Sequence, residues 1–117
     1  MTKPSSGLLP QVTFNILLAL SLKPRHGYEL MQQVNADSAG RVKLGPGALY
    51  GSIKSLVEGG LIEQIPPQAT ADRRRYYQLT SHGRARLGAD IKYYEQTVKL
   101  ARDRQIFTLR TVGGSRV

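Results

Sequence analysis

With 117 residues, a formal net charge of +9 and no cysteine, the chain has the size of one small basic domain, which excludes disulfides and thiolate-held metals. Its longest apolar stretch, residues 8–22, is interrupted by polar side chains and falls short of the roughly 20 apolar residues that a membrane span needs. We therefore expect a cytoplasmic protein without a membrane partner, whose charge favours a polyanion, nucleic acid foremost.

The N-terminal part of the sequence predicts a flexible arm and two helices. Residues 1–7 are rich in Ser, Pro and Gly, which favours an unstructured arm. From Pro10 onward, apolar side chains recur at helical spacing over QVTFNILLALSL, which predicts a nearly buried first helix. The KPRHG segment breaks this pattern, so we expect His26 to close a turn and a second helix to span residues 27–35.

A short strand and a third helix follow. Residues 41–44 alternate between polar and apolar, which predicts a small strand. Gly45 and Pro46 are typical of a helix start, and the GG pair at 59–60 of a helix end, so the third helix is predicted over residues 46–58. Its apolar stripe consists of Leu49, Ile53, Leu56 and Val57. The opposite, solvent-facing side carries Gly47, Gly51, Lys54, Ser55 and Glu58, with Tyr50 on the flank.

The C-terminal part predicts a hairpin and a long helix. Residues 61–65 and 74–79 have β-type composition and are separated by PPQATADR, which predicts a hairpin with a stiff, exposed tip. Thr80 suits the cap of a last helix over residues 81–107. Residues 108–117 have too little apolar content to pack, so we expect a flexible tail.

Three helices followed by a basic hairpin are the order of elements in a winged helix-turn-helix domain, here predicted over residues 8–80. The fold class is therefore mainly α with a small β-hairpin, followed by the long helix as a separate C-terminal element. In such domains the third helix enters the major groove, while the hairpin, or wing, contacts the flanking backbone or minor groove. The alternative is a small basic domain whose third helix simply faces water.

Four short motifs stand in order along the chain: HGYEL at 26–30, GALY at 47–50, LVEGGLI at 56–62, and RYYQLT at 75–80 followed by Gly83. Together they resemble the PadR family of transcriptional regulators, over about residues 8–107. The resemblance implies a DNA-binding regulator. The single C-terminal helix is similar to the short PadR-like subgroup, which implies a homodimer with this helix in the interface. For some members it also implies a small aromatic effector near the dimer axis.

The predicted DNA contacts on the third helix are few. Tyr50, Lys54 and Ser52 can reach bases or phosphates, and Gly47 allows the helix to approach the groove closely. Packing of Gly47 and Gly51 against a neighbouring helix is an equally good interpretation, since glycine is costly in helices. The ring of Tyr50 can also pack on the core.

The wing carries the densest charge in the chain. Arg73 and Arg74 are expected to contact phosphates or the minor groove, with Arg75 pairing an acid such as Glu63. A solvated charge run is the alternative. Asp72, beside the arginines, is expected to fix the turn. Arg41 and Lys43, just before the third helix, are second-rank backbone contacts.

The last helix carries an apolar stripe at steps of four and three, which predicts a dimer interface formed by Leu87, Ile91, Tyr94, Val98 and Ala101. The same stripe could instead cover the core of its own domain. Tyr93 and Tyr94 could line an effector pocket at the interface, although core packing is the simpler role for either ring.

Catalysis has no support in the sequence. Nucleotide-binding glycine motifs and the serine-nucleophile motif are absent, and His26 and His82 have no carboxylate at ligand spacing. We predict no enzyme, no cofactor and no metal. The prediction is a homodimeric repressor that binds a pseudo-palindromic operator. The alternatives are a winged-helix interaction module, favoured by Glu58 and by the departures Ala48 and Gly51 from the family pattern, and a nonspecific nucleic-acid-binding protein.

Overall fold

The computed structural model describes residues 7–66 and 72–106. Within them, the helices are α1 (Gln11–Leu20), α2 (Gly27–Asp37), α3 (Pro46–Glu58) and α4 (Ser81–Asp103), and the strands are β1 (Arg25–His26), β2 (Ile62–Gln64) and β3 (Tyr76–Leu79). This confirms the predicted winged-helix fold class. The tail over residues 108–117 and nearly all of the predicted arm lie outside the described residues, as does most of the wing tip.

The first of two units ends at Leu87, and its core is built from one face of each of the first three helices. Each buried aliphatic side chain contributes about 2 kcal/mol through removal from water. The hydrophobic side chains with at most 5% of their area exposed are Ile16, Leu17, Ala19, Leu20, Leu30, Val34, Val42, Leu49, Ile53, Leu56, Ile62, Tyr77 and Leu87. The stripe predicted for the third helix is confirmed at three positions. Its fourth member, Val57, is 41% exposed and was wrongly placed in the core.

The sheet is antiparallel with strand order β1-β3-β2, so β3 is the central strand. Glu63 pairs with Gln78 on one side of β3, and His26 pairs with Tyr76 on the other. Sequence analysis interpreted the β1 segment only as a turn. Two residues are too short for an alternating pattern, and this strand exists because the edge of β3 is available to pair with it.

The strand predicted over residues 41–44 is not present. Val42 is buried at 4% exposure, and its N–H donates to Ser38 Oγ at 3.0 Å. The alternation in the sequence therefore reflects one apolar anchor of a loop, with no partner strand in the described residues. A turn with positive φ at Ala39 and Gly40 brings the chain from α2 to this anchor.

The start of α4 is held against the turn before β2. Thr80 Oγ1 accepts the N–H of Gly83 at 2.9 Å and donates to the carbonyl oxygen of Gly60 at 2.6 Å, which confirms Thr80 as the cap. A Cβ on Gly83 would lie 1.9 Å from the carbonyl oxygen of Leu61. Only glycine permits this close approach of the helix to the turn.

The second unit begins at Gly88 and contains the rest of α4. The helix ends at Asp103, short of the predicted residue 107. The N–H of Ile106 donates to the carbonyl of Ala101 and that of Gln105 to Arg102, while Gln105 takes a φ of 59°. This is a Schellman motif, which terminates the helix by satisfying its last carbonyls. No helix among residues 7–66 and 72–106 is long and apolar enough to cross a membrane.

Candidate nucleic-acid interface

The solvent face of α3 is set by the burial of its opposite face. Leu49, Ile53 and Leu56 anchor the helix, and Pro46 occupies its first turn. The predicted solvent side is confirmed as exposed: Gly47, Gly51, Lys54, Ser55 and Glu58. Ser52 is half-buried.

The two glycines on this face have empty space around them. Apart from the adjacent residues and the backbone of α3 itself, no heavy atom in the described residues lies within 4 Å of the position that a Cβ would take at Gly47 or Gly51. Within residues 7–66 and 72–106, packing against a neighbouring helix therefore does not explain either glycine. Each of these glycines weakens the helix by up to about 1 kcal/mol relative to alanine.

Tyr50 is 53% exposed and leans toward the start of α2. A Cβ on Gly27 would lie 2.5 Å from the Tyr50 hydroxyl oxygen and 3.3 Å from Leu49 Cδ2. The absence of a side chain at Gly27 thus allows the Tyr50 ring to lie against α2. Its hydroxyl is placed between two helices, which confirms the predicted flank position.

The described end of the wing is ordered by Asp72. Its Oδ1 accepts the N–H of Arg74 at 2.9 Å, and its Oδ2 accepts the Tyr76 hydroxyl at 3.1 Å, so Asp72 fixes the turn as predicted. The Arg74 N–H, followed by the Tyr76 hydroxyl and the charge of Arg74, lowers the pKa of Asp72 below its usual value. Burial, followed by the bond to Asp72, raises the pKa of the Tyr76 hydroxyl.

Arg75 does not have the partner that the sequence suggested. Glu63 Oε2 instead accepts from Gln78 Nε2 at 3.0 Å. The register of β2 against β3 places these two residues directly opposite each other. Arg75 is left exposed beside Arg74, which the sequence alone could not show because register depends on the folded hairpin.

His26 joins α2 to the wing. Its backbone N–H donates to Glu29 Oε1 at 3.2 Å, and its Nδ1 faces the Glu29 N–H at 3.4 Å, a capping box that starts α2. Its Nε2 lies 2.7 Å from Arg74 Nη1. Because arginine only donates hydrogen bonds, this contact requires an unprotonated Nε2. In that tautomer Nδ1 carries the proton and cannot accept the Glu29 N–H, so the hydrogen bond from the His26 N–H to Glu29 Oε1 is the part of the capping box that remains.

These elements enclose one open cleft of about 620 Å³, hereafter the α2–wing cleft. It is lined by His26, Gly27, Tyr28, Tyr50, Arg74, Arg75 and Tyr77. The structure thus brings together two of the predicted contact residues, Tyr50 and Arg74. Lys54, Arg73, Arg41 and Lys43 lie outside this lining.

Sequence analysis missed His26, Tyr28 and Arg75 as members of this site. The HGYEL motif was the available signal, but it was used only for the family resemblance and for predicting a turn followed by a helix. Only the pairing of β1 with β3 carries it to the wing.

The residues predicted for the dimer interface differ in exposure. Leu87 is 4% exposed in the isolated chain and belongs to the core of the first unit, so the own-core interpretation holds for it and it can add little area to a dimer. Ile91 and Ala101 are half-buried, whereas Tyr94 and Val98 are 39% and 43% exposed. Tyr93 is 49% exposed and meets the Tyr94 ring edge-on at 5.7 Å between centroids, so neither ring is a core residue of the chain.

No group of three metal-ligating side chains occurs within the described ranges. Among curated proteins none matches this sequence. The fold is shared with solved structures at low sequence identity, which demonstrates the architecture. A PadR family transcription regulator from Clostridium difficile is 23% identical with a TM-score of 0.66, covering 80% of this chain and 97% of that one.

Two further structures have the same architecture. A PadR-like transcriptional regulator from Bacillus cereus is 21% identical with a TM-score of 0.68 over 83% of this chain and 93% of that one. ZitR from Lactococcus lactis, as a double mutant, is 20% identical with a TM-score of 0.69 over 93% and 70%. The family model described as the transcriptional regulator PadR-like family matches residues 16–89. Because this match spans well over half of the sequence, the chain belongs to the PadR-like family of transcriptional regulators, which are DNA-binding proteins and not enzymes, as its motifs predicted.

Proposed function

We propose that this protein is a homodimeric repressor that binds a pseudo-palindromic operator through α3 and the wing. The observation that carries the proposal is the convergence of Tyr50 and Arg74 on one cleft, next to the glycine-bearing exposed face of α3. A net charge of +9 favours a polyanion over a neutral partner. Tyr50, Lys54, Ser52 and Gly47 on α3, Arg73 and Arg74 on the wing, and Arg41 and Lys43 before α3 are the proposed contacts.

The second copy is proposed to pack on the part of α4 that belongs to the second unit. The exposed apolar side chains there, Tyr93, Tyr94, Val98 and Leu100, form a surface of the kind that marks an interface when it is contiguous. A two-fold dimer presents two recognition helices to two half-sites, which matches the symmetry of a palindromic operator.

Release from DNA is proposed to follow when a small aromatic effector binds at Tyr93 and Tyr94. Their edge-to-face pair lies on the proposed dimer surface, and a flat ligand could stack on either ring. Binding there would change the spacing of the two recognition helices, and half-site separation is a geometric requirement of operator binding.

Fluorescence anisotropy tests operator binding. The protein is titrated against DNA from upstream of its own coding region and against a shuffled duplex, at two salt concentrations. We expect a preference of about a thousandfold for the upstream region at the higher salt. Equal binding to both duplexes, lost together with salt, would identify a nonspecific nucleic-acid-binding protein, and no binding to either would favour the interaction module.

Sedimentation velocity tests the dimer independently. Val98→Lys places a charge on the proposed interface and is expected to yield monomers at concentrations at which the native protein is dimeric. Leu22→Lys is the matched control and should remain dimeric, because Leu22 is 84% exposed and lies outside α4. A Val98→Lys protein that stays as dimeric as the control would refute this assignment of the interface.

A further inference from the structure

We propose that the α2–wing cleft binds one phosphate of the DNA backbone, held by Arg74, Arg75 and the hydroxyls of Tyr28 and Tyr50, and that a neutral His26 positions Arg74 for this contact. The inference rests on the proposed function, since it assigns a discrete phosphate site to the DNA-binding surface. It adds three residues to that surface: His26, Tyr28 and Arg75.

The lining of the cleft offers hydrogen-bond donors suited to an anion. Arg74 and Arg75 are exposed, and Tyr28 and Tyr50 are 62% and 53% exposed, so all four can reach a group that enters from solvent. Arginine and tyrosine side chains are common donors to phosphate oxygens at protein–DNA interfaces. The start of α2 borders the same cleft, and the helix dipole adds a favourable field for a negative charge.

The two neighbouring carboxylates are already engaged. Glu29 accepts the backbone N–H of His26, and Asp72 accepts from the Arg74 N–H and from the Tyr76 hydroxyl. Each carboxylate therefore already accepts hydrogen bonds from the protein itself. Arg74 and Arg75 give the lining of the cleft its positive charge, and Tyr28 and Tyr50 add neutral hydroxyl donors.

Arg74 is held at its backbone and at its guanidinium. Asp72 fixes its backbone N–H, and His26 Nε2 lies 2.7 Å from Nη1. His26 is only 6% exposed and its ring meets the Tyr76 ring edge-on at 5.2 Å, so the acceptor nitrogen has a fixed position. Guanidinium has five N–H donors, so the bond to His26 leaves others for a phosphate, and the pre-ordered side chain loses less entropy on binding.

A duplex backbone is the source of phosphate that this position favours. Tyr50 belongs both to the cleft and to α3, whose neighbouring Gly47 and Gly51 leave the helix surface open to a groove. DNA lying on α3 would then bring its backbone past the Tyr50 hydroxyl toward the wing. A site for a free phosphate ion would not need to adjoin the exposed face of α3.

Single neutral methylphosphonates placed along the operator provide the test. The native protein is expected to lose affinity roughly tenfold at one backbone position in each half-site, as for a lost hydrogen bond between charged groups. Arg74→Gln should bind the unmodified operator about tenfold more weakly and lose nothing further at that position. Its slope of log affinity against log salt should fall by about 1.

Lys92→Gln is the matched control, because it removes the same charge from an exposed site on α4. The Lys92→Gln protein should lose as much affinity as the native protein when the methylphosphonate stands at that backbone position. Tyr28→Phe should reduce the affinity loss caused by that methylphosphonate without changing the thermal unfolding temperature. If Arg74→Gln loses as much as the native protein at every modified position, the phosphate site is refuted while operator binding stands. If the native protein binds no DNA, both proposals fail.

The role of His26 is tested by His26→Asn. Asparagine is a good helix cap and preserves the start of α2, but it lacks the ring nitrogen that holds Arg74. We expect His26→Asn to weaken operator binding when Arg74 is present and to have no added effect in the Arg74→Gln background. Additive losses in the double variant would show that His26 does not act through Arg74.

Discussion

Replacing Gly83 by alanine tests the packing that sets the start of α4. Alanine is a better helix former than glycine, so helix propensity alone predicts a gain of up to about 1 kcal/mol. The structure predicts the opposite sign. A Cβ at this position would lie 1.9 Å from the carbonyl oxygen of Leu61, about 1.5 Å inside the 3.4 Å at which ordinary contact begins.

The size of the stability loss in Gly83→Ala depends on which atoms must move to make room for the Cβ. The clashing atom is the backbone carbonyl oxygen of Leu61, which also accepts the Thr80 N–H. The neighbouring carbonyl of Gly60 accepts the Thr80 hydroxyl, so the turn is held in place by two hydrogen bonds. Overpacking against such a segment costs about 3 kcal/mol. For a chain of this size we expect the thermal midpoint to fall by about 10 °C.

Thermal unfolding followed by circular dichroism measures the change, with Gly88→Ala as the matched control. Gly88 is an exposed residue of the same helix, and no heavy atom of the described residues lies within 4 Å of the position that its Cβ would take. Its replacement should therefore leave the midpoint unchanged or raise it. A Gly83→Ala protein as stable as the Gly88→Ala protein would refute the close approach of α4 to the turn before β2.

Three further changes have defined outcomes. Gly51→Ala should keep or raise the unfolding temperature, since no described atom lies near its Cβ position, yet weaken operator binding in an anisotropy titration; unchanged affinity would mean that the groove does not approach Gly51. Gly27→Ala should displace the Tyr50 hydroxyl and lower the stability measured by urea unfolding. In a Tyr50→Phe protein, which lacks that hydroxyl, Gly27→Ala should cost less stability. An equal cost in the native and Tyr50→Phe proteins would contradict this contact. Asp72 has a lowered pKa in the folded state, so its contribution to the free energy of unfolding is present above about pH 4 and is lost as the pH falls through that lowered pKa. Unfolding of the native and Asp72→Asn proteins should differ above about pH 4 and converge as the pH falls through the lowered pKa, and a difference that persists in acid would contradict the linkage.

Much of the fold was predictable from local signals. The bounds of α3 follow from Gly45 and Pro46 at one end and Gly59 at the other, because capping depends on neighbouring residues alone. The Thr80 cap and the exposed side of α3 follow from equally local rules. Partial failures occurred where a local pattern had another cause, as at Val42, whose burial anchors a loop, and at the end of α4, where Gln105 closes a Schellman motif.

The site itself was only half predictable. Tyr50 and Arg74 stood out through their position and charge, whereas His26 and Tyr28 carry no sequence signal that links them to the wing. The α2–wing cleft exists because a two-residue strand pairs with β3, 50 positions away for the pair His26 and Tyr76. Composition, capping and helical periodicity are properties of neighbouring residues and are determined by the sequence alone. Strand pairing, register and the meeting of His26 with Arg74 depend on distant segments packing together, and so only the tertiary structure decided them.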